Sequence, residues 1–175
     1  MQARYQTNDF RSVIQTFTWR SPNKLTGVGF RVASDQNAVG GVFFSANQAY
    51  ALDVQLLDGS NPNKVVSTVT TIAMTLTPAQ VLPGRYLYIP FASPLSLTQG
   101  QNYGVNLRPT ASVANNRLLI AHTNTTGADG YGDVSSTHLG VGYGNQYGTA
   151  GQIPVDSPYS AAGGGGYDIT FLATS

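Results

Sequence analysis

Few residues in this sequence could carry out catalysis. There are two histidines, His122 and His138, no cysteine, and all eight acidic residues are aspartate. A Ser-His-Asp arrangement forms only when its groups meet in space, and no G-x-S-x-G turn presents a nucleophilic serine. His122 continues the inward face of a predicted strand, where a buried, hydrogen-bonded histidine is the usual case. We therefore predict a protein that is not an enzyme.

Metal and nucleotide sites are not predicted either. Asp129 and Asp133 flank flexible glycines and could offer oxygen ligands to calcium. The sequence around them lacks the ligand series of an EF-hand, however, so solvated turn aspartates are the better interpretation. No Cys/His spacing indicates zinc. The glycine-rich run 140–144 lacks the G-x-G-x-x-G spacing and a following helix that would bind phosphate. The sequence predicts no metal and no cofactor.

Tyrosines are the residues whose chemistry suits an interaction surface. We predict Tyr86 and Tyr88 on the outer face of one strand. Four more tyrosines lie among glycines nearer the C-terminus: Tyr131, Tyr143, Tyr147 and Tyr159. A tyrosine combines a flat apolar ring with a hydroxyl group and loses little side-chain entropy when fixed, so it suits sugar stacking and protein interfaces alike. Packing of these rings onto their own domain is the equally weighted alternative. These six form our candidate interaction surface.

Composition determines which partners are expected. The net charge is +1 and charged residues make up 10% of the chain, against roughly 25% in typical soluble domains. No basic stripe indicates nucleic-acid binding, and no stretch is apolar enough to span a membrane. Residues 1–8 are polar and lack the apolar core of a signal peptide. If the protein works outside a cell, it arrives by a route that this sequence does not encode, such as release in a virus particle.

The elements that would position these residues are strands. Glutamate is absent and only two lysines occur, so the residues that usually build surface helices are scarce. Apolar and polar residues alternate most clearly over 50–57, with Ala51, Asp53 and Gln55 predicted outward, and 65–74 returns as the second strand of a hairpin. Further alternating runs cover 13–19, 28–32, 86–91, 103–107, 118–122 and 167–171. About eight short strands predict an all-β fold, an antiparallel β-sandwich with jelly-roll topology.

The chain is long enough for one domain. We predict an N-terminal arm over residues 1–12 and a single β-sandwich over 13–175. The sandwich includes an irregular Gly/Tyr-rich segment, 124–166, near the C-terminus. A loop of about 40 residues is unusual in a compact domain. The segment is therefore disordered, folded against a partner, or composed in part of short strands such as 138–143, and in an assembly protein we expect it to order on binding.

Part of the sequence is similar to known jelly-roll modules. From Tyr86 to Pro109 a strand ends in an aromatic residue and a Pro-Leu pair, a glycine turn follows, and Tyr103, Val105 and Leu107 alternate in the next strand. This stretch of sequence resembles a pattern in jelly-roll modules of bacterial surface proteins and carbohydrate-binding modules. The resemblance implies the same fold more than it implies sugar binding.

The whole chain resembles tailed-bacteriophage virion proteins in style, especially capsid decoration (cement) proteins and fibre or spike modules. It shares their polar Gly/Thr/Asn-rich composition, absence of cysteine and modest length. The resemblance implies a non-enzymatic structural or assembly protein that forms homo-oligomers and contacts other virion proteins. It also implies a location in the virion, with an extracellular location as the alternative. The alternative is a carbohydrate-binding module or adhesin domain that binds surface glycans through exposed tyrosines.

Overall fold

Every regular element in the described part of the chain is a β-strand. The computed structural model describes residues 4–6, 12–33, 44–59, 64–111, 118–123, 155–156, 168–169 and 171–175. The strands, in chain order, are β1 (Arg4–Gln6), β2 (Val13–Thr18), β3 (Leu25–Arg31), β4 (Gln48–Leu57), β5 (Val65–Leu76), β6 (Tyr86–Leu95), β7 (Asn102–Pro109), β8 (Leu119–Thr123), β9 (Asp168–Ile169) and β10 (Phe171–Thr174). The predicted all-β fold is confirmed.

The first layer is a four-stranded antiparallel sheet with the order β2-β7-β4-β5. The hairpin that the sequence predicts is present, since β4 pairs with β5 from Gln48 opposite Leu76 to Leu57 opposite Val65. Its register shifts twice, between Val54 and Gln55 and between Leu56 and Leu57. On its other edge β4 pairs with β7 without a shift, from Tyr50 opposite Pro109 to Leu57 opposite Asn102.

The second layer combines the orders β10-β3-β6 and β1-β8-β9. These two pieces meet where Val32 bridges Ile120 and the Ala33 N–H donates to the Leu119 carbonyl at 2.9 Å. All pairings are antiparallel, and together the two layers form a β-sandwich. The first eight strands are paired as a nested set: β1 with β8, β2 with β7, β3 with β6, and β4 with β5.

One hydrophobic core fills the space between the layers. It takes side chains from β2, β3, β4, β6 and β7 and from Leu118 and Ile120 at β8. Phe17 packs edge-on against Trp19, with ring centroids 6.4 Å apart, so the predicted core position of Trp19 is confirmed. Burial of each large apolar side chain contributes about 1.5–3 kcal/mol. These contacts hold the two sheets face to face.

The outward face of the four-stranded sheet is also buried over β4 and β7. Asp53 and Gln55 of β4 point to this face, as the alternation predicts, and so do Asn106 and Arg108 of β7, yet all four are buried. Buried polar groups require partners. Gln55 donates to the Thr68 hydroxyl at 3.2 Å, and Arg108 pairs with Asp53. In a simple sandwich the outward face of a sheet is exposed to solvent. Here it carries buried polar side chains, and those of Asp53 and Gln55 bond to the neighbouring strands.

Both predicted terminal segments are only partly described. Within the predicted arm, 1–12, residues Arg4–Gln6 form β1 and pair with β8. Within the predicted Gly/Tyr segment, 124–166, only Val155 and Asp156 are described. Asp156 has a positive φ of 64° and its N–H donates to the Val65 carbonyl at 2.8 Å, so this point of the segment contacts the start of β5.

Candidate interaction surface

Strand β6 positions the two tyrosines that the sequence places on an outer face. Its residues alternate between buried and exposed, so Leu87 and Ile89 enter the core while Tyr86 and Tyr88 point away from it. Tyr86 is 47% exposed and Tyr88 is 45% exposed. Two residues along a strand span about 7 Å, so the two tyrosines stand side by side on one surface.

Hydrogen bonds hold Tyr88 in place. Its hydroxyl lies 3.0 Å from the hydroxyl of Thr174 in β10. The Thr174 hydroxyl also lies 2.9 Å from that of Thr26 and donates to the Gly27 carbonyl at 3.1 Å. The Tyr88 hydroxyl is therefore fixed by a polar cluster that joins β3, β6 and β10.

Gly27 makes room for the Tyr88 ring. A Cβ atom at position 27 would lie 2.7 Å from the Cζ atom of Tyr88 and 2.9 Å from the carbonyl oxygen of Ile89. Only a residue without a side chain lets the ring lie this close to β3. The ring is packed against its own sheet on one side, and about half of the residue remains exposed for contact with a partner.

Tyr86 has a cationic neighbour. It lies directly opposite Arg31 in the β3–β6 pairing, and both residues are exposed. Directly opposite side chains in antiparallel strands have Cβ atoms about 4.5–5.5 Å apart. Pro90 continues the same outward face of β6. We refer to Arg31, Tyr86, Tyr88 and Pro90 as the tyrosine face.

The other sequence-predicted residues are not part of this description. Tyr131, Tyr143, Tyr147 and Tyr159 lie outside the described residues, as do Asp129, Asp133 and His138. His122 lies in β8 opposite Ile169, and nothing is described of its side chain. Of the six predicted tyrosines, the structure brings together Tyr86 and Tyr88.

Sequence reasoning missed the residues that support the tyrosine face. Thr174 is 86 positions from Tyr88, and no local pattern connects them. Gly27 offered a usable signal, because glycine inside a strand often marks a close approach of another group. Arg31 alternates with the buried Phe30 and Val32, so the sequence predicts its outward position. The sequence does not predict that Tyr86 lies opposite it in the next strand.

The described residues offer no grouping of the kind that metal chemistry needs. Within them, no cluster of three or more histidine, cysteine or acidic side chains could hold a metal ion. The same part of the chain contains no helix that is long and apolar enough to cross a membrane. The tyrosine face itself offers exposed rings, hydroxyl groups and the charge of Arg31.

Comparisons of this chain with protein-family models, with curated proteins and with solved structures found no match.

Proposed function

We propose that this protein is a non-enzymatic structural component of a virus particle, either a capsid decoration (cement) protein or a head or tail fibre component. It acts through surface contacts with copies of itself and with other virion proteins. The observation that carries the proposal is the tyrosine face, where two half-exposed rings stand together and one is fixed by Thr174. A ring that is already fixed loses less conformational freedom on binding.

The composition supports contact surfaces of this kind. Charged residues are depleted at the cores of protein interfaces, while tyrosine and arginine are enriched. This chain has 10% charged residues and ten tyrosines. The tyrosine face has the same character, with two tyrosines beside a single arginine.

We also propose a jelly-roll topology. The pairing of β1 with β8, β2 with β7, β3 with β6 and β4 with β5 is that of one long hairpin of four strand pairs. Rolled into two layers, that hairpin gives the orders 1-8-3-6 and 2-7-4-5, an arrangement of eight strands in two sheets. The observed order β2-β7-β4-β5 and the bridge between β3 and β8 support this assignment. The C-terminal strands lie at the junction of β8 and β3, since β9 pairs with β8 and β10 pairs with β3.

The same face supports a second candidate, a carbohydrate-binding module or adhesin domain. Exposed tyrosine rings on a strand can stack on sugar rings, and the Tyr88 hydroxyl is already engaged by Thr174, which leaves its ring as the available group. Binding to glycans and binding to particles therefore have to be measured side by side.

The test is a rebinding experiment with virus particles that encode this protein and have been stripped of it. Wild type should co-sediment with the particles, and Tyr86→Ala/Tyr88→Ala should bind at least about tenfold more weakly, since buried tyrosines are frequent hot spots of interfaces. Tyr88→Phe keeps the ring and should retain most of the binding. The matched control is Leu82→Ala/Val155→Ala, which removes two exposed apolar side chains elsewhere.

Each result has a defined meaning. Undiminished binding of Tyr86→Ala/Tyr88→Ala, or absence of wild-type binding, would contradict the proposal. A panel of soluble polysaccharides is assayed in parallel. Polysaccharide binding that disappears in the double variant, with no binding to particles, would favour the carbohydrate-binding candidate.

A further inference from the structure

Within the described part of the chain, strand β5 is an edge without the usual protection. It is the outermost strand of the order β2-β7-β4-β5. Its twelve residues, Val65–Leu76, include neither a charged residue nor a proline. Natural edge strands are usually protected against pairing by charges, prolines, bulges or covering segments. One outer strand of the other layer, β6, follows that rule because it contains Pro90 and Pro94. The second edge strand of the first layer, β2, also lacks charge and proline, but it is buried along most of its length, whereas β5 is largely exposed. The contrast within one molecule marks β5 as a strand available for pairing.

The backbone hydrogen bonds between β4 and its two neighbouring strands show which backbone groups of β5 face the free edge. The Thr110 N–H donates to the Ala49 carbonyl at 3.0 Å, so the polar groups of Ala49 point toward β7. Ala49 lies opposite Thr75, and the polar groups of Thr75 therefore point away from β4. Because the direction alternates along a strand, those of Ala73 and Thr71 also point to the free edge.

The first half of β5 differs from the second. Both register shifts with β4 lie between Val65 and Thr70. The one backbone partner described at this edge is Asp156, whose N–H bonds to the Val65 carbonyl. From Thr70 to Leu76 the register is regular. The available edge is therefore 70–76.

We propose that residues 70–76 pair with the same residues of a second copy, antiparallel and about a two-fold axis at Ala73. The segment is self-complementary around this residue. Thr71 then lies opposite Thr75 of the second copy, and cross-strand threonine pairs stabilise sheets. Ile72 lies opposite Met74 of the second copy, so two half-buried apolar residues cover each other. The absence of charge means that no like charges meet when the strand pairs with itself.

The geometry of this pairing follows from the ladder. Thr71, Ala73 and Thr75 would form hydrogen-bonded pairs, each exchanging two backbone bonds, which gives about six across the axis. Ile72 and Met74 would occupy the closer, non-hydrogen-bonded positions. The contact is isologous, as in most homo-oligomers, and it joins two four-stranded sheets into one sheet of eight strands.

The paired edge is the self-association surface of the assembly protein proposed above, and it rests on that proposed function. It involves the other layer of the sandwich and none of the residues of the tyrosine face. If the self-pairing fails, the rebinding experiment still tests the proposed function. If the rebinding fails, the oligomeric state of the protein still tests the self-pairing.

The test uses charge at the two-fold axis. Ala73 is exposed, so Ala73→Lys and Ala73→Glu keep the fold but place like charges directly opposite each other in a self-paired dimer. Each variant alone should sediment as a monomer under conditions where wild type is a dimer. An equimolar mixture should regain the dimer, because opposite charges then meet. The matched control is Ala79→Lys, at another exposed alanine, which should sediment like wild type.

Several results would overturn the proposal: a monomeric wild type, dimeric Ala73→Lys, or a mixture that stays monomeric. Amide exchange of wild type adds a measurement that needs no substitution. The amides of Thr71, Ala73 and Thr75 should become more protected as the protein concentration rises, while the already bonded amide of Gly100 should not change. Exchange of these three amides that is independent of concentration would also overturn it.

Discussion

The guanidinium group of Arg108 forms two hydrogen bonds with the carboxylate of Asp53, at 2.7 Å from Nε to Oδ2 and at 3.3 Å from Nη2 to Oδ1. The Thr71 hydroxyl donates to Oδ1 at 2.7 Å. The side chain of Arg108 is 10% exposed and that of Asp53 is 1% exposed, although both lie on the outward face of their sheet. The ion pair and the Thr71 hydroxyl together link β4, β5 and β7, and the two charged groups are largely removed from water.

We predict that Arg108→Ala lowers the free energy of unfolding by about 3–5 kcal/mol, because it leaves the Asp53 carboxylate buried without its cation. Urea denaturation measures the change. The exposed Arg85→Ala serves as the matched control and should stay within about 0.5 kcal/mol of wild type. Equal stability of the two variants would show that the Asp53 carboxylate does not depend on Arg108.

We predict that Gly27→Ala destabilises the protein by about 1–3 kcal/mol, the usual cost of overpacking. The new Cβ would meet the Tyr88 ring and the Ile89 carbonyl oxygen. Thermal denaturation of wild type, Gly27→Ala, Tyr88→Ala and the double variant gives a double-mutant cycle. The substitution at position 27 should cost less when Tyr88 is alanine, because neighbouring residues couple. Strictly additive effects would argue against the close approach of the ring.

We predict that Ala73→Cys forms a disulfide-linked dimer on mild oxidation. Hydrogen-bonded antiparallel pairs place their Cα atoms about 5.5 Å apart, within the roughly 4.4–6.8 Å that a disulfide spans. The chain contains no other cysteine, so any cross-link is assigned without ambiguity. Non-reducing gel electrophoresis gives the readout, with Ala79→Cys as the control. Equal cross-linking of the two variants would indicate random collision and not pairing at β5.

Alternation of residue types was sufficient to find the core strands. The pattern over 50–57 and 65–74 predicts a hairpin, and the structure contains it as β4 and β5. The end of β6 was less readable. The sequence predicts its end at Phe91, yet β6 continues to Leu95 through Pro94. A proline lacks an N–H group and normally ends a strand, but an edge strand tolerates it because one side of the ladder is unpaired.

Long-range relationships explain what the sequence alone left out. The alternation correctly turns Asp53 outward, but its burial depends on Arg108, 55 positions away. In the same way Tyr88 was readable as an outer residue, whereas its bond to Thr174 depends on how β10 joins the sheet. Periodicity reports which face a side chain occupies. It does not report which distant strand lies beside it.

We propose that this chain is a structural part of a virus particle, and quantitative mass spectrometry of purified particles is the most direct test. Particles from a culture that expresses this chain are purified to constant composition and digested. We expect the protein to be present in a fixed ratio to the major capsid or fibre protein, and the ratio to stay constant on further purification. Absence of the protein from the particles, or a ratio that falls toward zero with each purification step, would contradict a structural role in the virion.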